Sequence, residues 1–515
     1  MVGGRVKPGH DRQGTAQGPA CQWKGLGPLM RETVTVEDAR SFKELKKDPL
    51  YASRIKIHPK DVKGTFRRIK WAVLTACLAV YYIVPWIRWD RGPEVPDQAV
   101  LIDMPSRRAY FFWIEIWPQE IYYLTLLLIL GAFGLFLVTS VAGRVWCGFT
   151  CPQTVWTDLF MWVERKIEGD RGARMRLDKA PLSRDKLLRR ALKHAAWLLI
   201  AALTGGAWIM YFNDAPSVTA AILTGQASFA QYFFFGLFTA TTYLLAGFAR
   251  EQVCTYMCPW PRFQAALLDE HSYTVTYQKW RGEPRAPLRK NADWSARGDC
   301  IACNNCVAVC PMGIDIRDGL QLECIGCGLC IDACNEVMDR IGRPRELITL
   351  DTDRNQVLKA KGQAPSTRIV RPRTLVYAAV LAVVGLGILL SLGMRSTLDV
   401  AVLHDRNPLF VTLSDGSIRN GYTVRILNKS HEERLYELSV EGLEGATLAV
   451  VGQDEAHLER AALAARPDTA TTYKVYVTAP RDALAGEAEE ITMVLSETAG
   501  GAAARPRTVF RGPAA

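Results

Sequence analysis

Long apolar runs alternate with short charged stretches over the first 400 or so residues of the chain. Five of the runs, at 69–87, 121–141, 191–212, 229–248 and 374–394, have about the 20 residues an α-helix needs to cross a bilayer core of about 30 Å. The first ends in Tyr81, Tyr82, Trp86 and Trp89, aromatic residues of the kind that settle at a membrane–water boundary. A buried helix in a large soluble protein would account for one such run. Five, each flanked by charge, read as membrane spans. Beyond the fifth the period shortens. Segments 421–427, 434–440, 472–478 and 491–495 alternate or are β-branched, with Ser414-Asp415-Gly416 and Glu441-Gly442 as turn signals between them. That pattern predicts an all-β sandwich of immunoglobulin type.

The charges orient the spans. Lys60, Lys63, Arg67, Arg68 and Lys70 lead into the first run, residues 144–190 hold eleven Lys or Arg, residues 213–228 hold none, and Arg368, Arg371 and Arg373 lead into the fifth. Because basic loops stay inside, the N-terminus and residues 250–373 are expected in the cytoplasm and residues 395–515 in the periplasm of a bacterial inner membrane. The expected organisation is a flexible cytoplasmic tail (1–55, with no secretory signal), a four-helix transmembrane region (56–260), a cytoplasmic ferredoxin-type α+β insert (261–373), a fifth transmembrane helix (374–394) and a periplasmic immunoglobulin-like domain (395–515). The net charge of +11 raises nucleic acid as a partner. However, the basic residues gather beside apolar runs, where anionic headgroups would meet them, and no basic stripe interleaved with aromatics occurs. The membrane, and not nucleic acid, is the expected partner.

Twelve of the 14 cysteines fall in four short motifs; Cys21 and Cys77 lie outside, and none follows Cys334. Such clustering belongs to metal ligation, whereas disulfide frameworks spread cysteines across a domain. Cys300, Cys303, Cys306 and Cys310 follow C-x2-C-x2-C-x3-C, and Cys324, Cys327, Cys330 and Cys334 repeat the spacing 24 residues later. Three cysteines at two-residue gaps wrap three corners of one [4Fe-4S] cube, and the fourth points to the other cube. One cluster would therefore take Cys300, Cys303, Cys306 and Cys334, and the second Cys324, Cys327, Cys330 and Cys310. Zinc would use paired C-x2-C units, but not this doubled motif. Asn335 stands where the first half has Pro311.

Cys147-Gly-Phe-Thr-Cys151-Pro152 and Cys254-Thr-Tyr-Met-Cys258-Pro259 each follow a span, so the chain repeats two spans and then C-x3-C-P. If the motifs are helical, each thiol pair shares a face. If the prolines instead start new helices, Cys151 and Cys258 sit at helix N-termini, which lowers a thiol pKa. Soft thiolates, with the Met257 thioether nearby, favour Cu(I), while zinc, a further iron–sulfur centre or dithiol–disulfide cycling stay open. His194 and His271 offer no facing pair of the kind a bis-His haem needs.

Together with Trp-Asp-Arg-Gly-Pro at 89–93 and Ile-Trp-Pro-Gln-Glu at 116–120, these motifs in this order resemble the CcoG/FixG/RdxA proteins, accessory factors in the assembly of cbb3-type cytochrome c oxidase. The resemblance implies reduction of Cu(II) to Cu(I) for that oxidase, with Cys147, Cys151, Cys254 and Cys258 implicated at copper. Copper would then be substrate or bound ion, and the partners an external cytoplasmic electron donor and copper-handling proteins or oxidase assembly factors. As an enzyme the protein would be a cupric reductase. Two other classes compete: an electron-transfer subunit joining a quinone or flavin donor to a larger redox complex, and an assembly scaffold with structural clusters. No G-x-G-x-x-G follows a strand, so any electron donor is expected to be external.

Overall fold

A computed structural model describes residues 56–513, apart from positions 93, 94, 289–293, 295, 296, 397, 431, 454–457, 468, 485, 499, 501 and 502. The expected flexible tail and Cys21 lie outside the described residues. Helix α1 (Thr65–Ile83) runs on through a short turn to Trp86. A small antiparallel sheet follows: β1 (Val100–Asp103), β2 (Arg108–Phe111) and β3 (Ile114–Ile116). Its strands are too short to show a period in the sequence. Arg91 of the Trp-Asp-Arg-Gly-Pro motif braces it, donating to the carbonyls of Phe112 (2.8 Å), Pro96 (2.7 Å), Gln98 and Ala99 (both 3.0 Å).

Next come α2 (Tyr122–Ala142), α3 (Pro152–Glu168), α4 (Arg184–Met210), α5 (Ala215–Thr224) and α6 (Phe229–Thr242), the last continuing as wide π-type turns to Ala249. Helices α7 (Trp260–Leu267), α8 (Leu329–Arg340) and α9 (Pro372–Gly393) come later in the chain. Among the described residues five helical stretches are long and apolar enough to cross a membrane: Thr65–Trp86, Pro118–Ala142, Arg184–Met210, Phe229–Ala249 and Pro372–Gly393. The third starts seven residues before the apolar run, because Ser183 caps it by accepting from the Lys186 N–H at 3.2 Å and a polar first turn is stable once capped.

Part of the basic segment 144–190 is used inside the protein. Glu164, 1% exposed at its side chain, accepts from Arg174 and Arg250, both at 3.0 Å. Glu168 pairs with Lys193 and Arg190 at 3.0 Å. Asp158 receives Arg67 at 2.8 Å. Burial alone would raise the carboxyl of Asp158, but Lys70 and Arg67 outweigh it and hold the group below its ordinary range.

The cysteine-rich region packs around β4 (Thr274–Tyr277), paired antiparallel with β5 (Ile348–Asp351). After α9 the chain forms β6 (Leu398–His404), β7 (Val411–Thr412), β8 (Ile418–Asn428), β9 (Arg434–Glu441), β10 (Thr447–Val450), β11 (Arg460–Ala465), β12 (Thr469–Ala479), β13 (Ala488–Glu497), β14 (Ala503–Ala504) and β15 (Arg507–Arg511). One sheet has the order β10-β12-β8-β6, with β7 on β8; the other has β11-β9-β13-β14, with β15 on β13. Their inner faces share a core that includes Tyr422, Val424, Ile426, Leu438, Leu463, Val475, Met493 and Phe510. This is the layering the alternation predicted. Strand β11, Arg-Ala-Ala-Leu-Ala-Ala, carries no strand propensity; pairing with β9 and burial of Ala461, Leu463 and Ala465 hold it extended. Glu120 joins this sandwich to the start of α2 through Arg395 (2.8 Å) and Lys429 (3.0 Å).

Candidate functional site

The two halves of the doubled cysteine motif adopt one backbone shape. Ala302 and Gly326, each two residues after the first cysteine of its half, are left-handed (φ 53° and 69°), and so are Asn304 and Gly328 two positions later (φ 57° and 70°). Such residues turn successive N–H groups toward a common centre, the concavity that receives an anionic group. Glycine adopts this at no cost, whereas Ala302 and Asn304 hold it against strain of about 1 kcal/mol or more each.

Cys300, Cys303, Cys306 and Cys334 line one cavity, together with Tyr277 and Arg317. Cys310, Cys324, Cys327 and Cys330 line a second, with Cys306 at its edge. The fourth cysteine of each half thus lies with the first three of the other. Cys334 sits within α8, which runs on to Arg340. A proline at 335 would break that helix, and Asn335 instead accepts from the Glu346 N–H at 2.8 Å. Burial pushes the thiols of Cys310 and Cys334 up to about 12, those of Cys306 and Cys324 up to about 11, and Cys330 well above its ordinary range. Thiolates are unfavourable in such surroundings unless a bound cation compensates. Among the described residues no three Cys, His, Asp or Glu side chains are close enough to hold a single ion. A cube, with four irons and four sulfides between its thiolates, spreads its ligands more widely, and the donor set suits it.

The C-x3-C-P motifs also share one design. Four residues before the first cysteine, Gly143 and Arg250 have positive φ (62° and 42°) and end the preceding helices. A single π-type turn follows in each, Trp146–Thr150 and Val253–Met257. It closes where the Cys151 N–H donates to the Trp146 carbonyl (2.9 Å) and the Cys258 N–H to the Val253 carbonyl (2.8 Å). Isolated π turns inside helices often mark functional sites. Arg250 is held in its strained conformation by bonds to the Gly247 carbonyl (2.8 Å) and Glu164 (3.0 Å).

Of the two arrangements open from the sequence, the second is present: Cys151 caps α3, and Cys258 precedes Pro259, the cap of α7. The expected fall in thiol pKa is corrected. Burial raises Cys151, and the N–H groups of Thr154 and Gln153 only partly offset it. Cys147 is pushed up to about 12, chiefly by burial and then by the charges of Cys151 and Cys254. Cys254 is likewise pushed up to about 12 by burial, with Cys151 and Cys258 adding to it. All four thiols therefore lie within electrostatic reach of one another, and none of them is in a disulfide.

This thiol group abuts the second cavity. Cys147 packs against the cluster of Ile325, Cys327 and Leu329. Arg144 donates to the carbonyls of Leu322, Cys324 (3.0 Å) and Pro261 (3.0 Å), tying both motifs to the Cys324 loop. Cys147 itself donates to Gln264 of α7 at 3.2 Å, and Gln264 is fully buried. Arg144 and Gln264 carried no motif signal; their spacing from the cysteines was visible but not interpretable. His194 bonds the Tyr243 hydroxyl (3.0 Å) and stacks on Phe248.

Three family models match the chain: a 4Fe-4S binding domain over residues 124–169, a 4Fe-4S dicluster domain over 249–353, and the immunoglobulin-like fold at the C-terminus of FixG over 388–513. Among curated proteins it is similar to the nitrogen fixation protein FixG of Rhizobium meliloti, 52% identical over 92% of this chain and 94% of that one. It is also similar to RdxA of Cereibacter sphaeroides, 48% identical over 90% of this chain and 99% of that one. RdxB of the same organism is 49% identical, over 90% and 97%.

Proposed function

The chain belongs to the FixG and RdxA family, and on that premise we propose that this iron–sulfur membrane protein reduces Cu(II) to Cu(I) for assembly of a cbb3-type cytochrome c oxidase. Cys300, Cys303, Cys306 and Cys334 hold one [4Fe-4S] cluster, and Cys324, Cys327, Cys330 and Cys310 hold the other. When bound, the clusters supply one-electron chemistry. The N-terminus and the cysteine-rich region face the cytoplasm of a bacterial inner membrane, and the sandwich faces the periplasm. An external cytoplasmic donor and copper-handling or oxidase-assembly proteins complete the system.

The observation that carries this reading is that Cys147, Cys151, Cys254 and Cys258, from two repeats, lie within electrostatic reach of one another beside the loop that bears Cys324 and Cys327, although among the described residues no three of them are close enough to share one ion. Copper enters as substrate. Thiolates, softer than any oxygen or nitrogen ligand nearby, stabilise Cu(I) over Cu(II) and so favour the reduced product. The four thiols are half-buried, and two thiolates suffice for Cu(I), so no four-ligand cage is required. Arg144 holds the thiol motifs and the Cys324 loop together.

The test uses anaerobically purified, cluster-loaded protein, chemically reduced and then mixed with Cu(II) and a Cu(I)-specific chromophore. Reduction should exceed that of an equal concentration of free thiol. Replacing Cys147 and Cys151 by Ser should weaken copper binding with iron content unchanged. Reduction no faster than the thiol control would reject the reading in favour of a plain electron-transfer subunit.

A further inference from the structure

The two C-x3-C-P repeats enter their π-type turns through the same backbone corner but with different residues. Gly143 makes the corner at φ 62° and ψ −128°, and Arg250 makes it at φ 42° and ψ −111°. Glycine reaches this region without steric cost, whereas a residue with a Cβ is held there only where its surroundings over-determine it. Glycine would serve the corner better, so the arginine side chain has a task of its own.

Its partners show that task. Arg250 is 8% exposed. Its guanidinium donates to Glu164 (3.0 Å) and to the Gly247 carbonyl (2.8 Å), and lies 5.3 Å over the Trp197 ring. Glu164 belongs to α3, the helix that Cys151 caps. The main chain of Arg250 is tied to the same helix. Gln153, two residues after Cys151, donates to the carbonyls of Arg250 (3.2 Å) and Leu245 (2.9 Å). One residue of the second repeat is thus fastened twice to the first, four positions before Cys254. Glu164 also pairs with Arg174 at 3.0 Å and Lys193 at 3.9 Å, so its charge is compensated without Arg250.

We propose that Arg250 is a positioning residue that sets the spacing between the Cys147–Cys151 pair and the Cys254–Cys258 pair. It acts through α3, the helix that Glu164 shares with Gln153 and that begins at Cys151. The inference rests on the four thiols acting as one group, the premise of the copper reading. Its test uses no copper, so either can fail alone.

The test uses the full chain in lipid nanodiscs, cluster-loaded and under argon, with Cys21→Ser and Cys77→Ala removing the thiols outside the motifs. Dibromobimane, which joins two nearby thiols, is added, and the bridged peptides are quantified by mass spectrometry. In that background, bridges between the repeats should form beside bridges within each motif. Arg250→Gly, which suits the backbone, should lower the between-repeat share about tenfold with iron content kept, the worth of one hydrogen bond to a charged group. Gln153→Leu, which removes only the main-chain tie, should lower it about threefold, the worth of a neutral one. Lys193→Met takes another cation from Glu164 but lies on α4, outside both motifs, and should leave the share unchanged. An unchanged share in Arg250→Gly would overturn the proposal; where that variant fails to load iron, an unchanged share in Gln153→Leu would do so. A fall in Lys193→Met as large as that in Arg250→Gly would overturn it too, as would an absence of between-repeat bridges in the background chain.

Discussion

The Arg144 guanidinium donates to the main-chain carbonyl of Cys324 at 3.0 Å, across 180 residues of sequence. The same fork reaches Leu322 and Pro261, so one buried side chain fastens its own segment to the 322–324 loop and to the start of α7. Arg144→Lys keeps the charge but loses the fork. Each carbonyl left bare costs about 1–3 kcal/mol. The variant should show a lower thermal midpoint and faster iron loss to a chelator. Wild-type stability in both assays would mean that Arg144 is not a clamp.

Gly148 is a second contact with no slack. A Cβ there would stand 2.8 Å from the Ile325 carbonyl oxygen and 3.0 Å from the Cys327 Cα, both backbone atoms that cannot swing aside. Gly148→Val should therefore cost about 1–3 kcal/mol, the usual range for overpacking. It should also perturb the electron paramagnetic resonance of the cluster assigned to Cys324, Cys327 and Cys330 more than that of its neighbour. Equal perturbation of both signals would separate the thiol motif from that loop.

The proposed crossing of the fourth ligands predicts a genetic signature. Cys310→Ala and Cys324→Ala should lose the same spectroscopic signal, although they lie in different halves of the motif. Cys310→Ala and Cys300→Ala should lose different ones. Loss of one common signal in Cys300→Ala and Cys310→Ala would show that each half ligates its own cluster.

Iron content separates the uses of the four thiols. Anaerobic protein with two cubes carries about eight iron atoms, and Cys147→Ser with Cys151→Ser should leave that number intact. A wild-type value near twelve, falling to about eight in the variant, would place a third cube at the thiols and remove copper from them.

Orientation is open to fusion reporters. A cytoplasm-active reporter joined after residue 300 and a periplasm-active one after residue 450 should both be active. The reverse pattern, or activity of one reporter type at both sites, would invert or break the proposed topology.

What could be read from the chain before its structure follows from how locally each demand is expressed. A bilayer requires about 20 apolar residues in a row, so all five apolar stretches were visible, with errors at their ends where polar turns such as the capped Ser183–Lys186, or the uncapped start at Thr65, extend them. Cluster ligation imposes fixed spacing on consecutive residues, so a dicluster domain was legible in the spacing of Cys300 to Cys334, and the 4Fe-4S dicluster model matches residues 249–353. The C-x3-C-P pairs were legible as a repeat, but the packing of the first on the cluster loop was not, because Gly148 against Cys327 is a contact between distant segments with no local pattern. The thiol at a helix start was misjudged for a similar reason. The capping N–H groups are local, but the burial that outweighs them at Cys151 belongs to the folded whole. Strand β11 was missed because its alanines are held by neighbours rather than by propensity.

The recurrence of positive φ, π turn, cysteine, proline and helix at 143–152 and 250–259 puts two copies of one thiol-bearing unit in a single chain. Each half brings two sulfurs, and neither half alone can gather four. Because both halves sit in one chain, the two pairs of sulfurs are always present in equal number, and folding alone brings them within reach of one another.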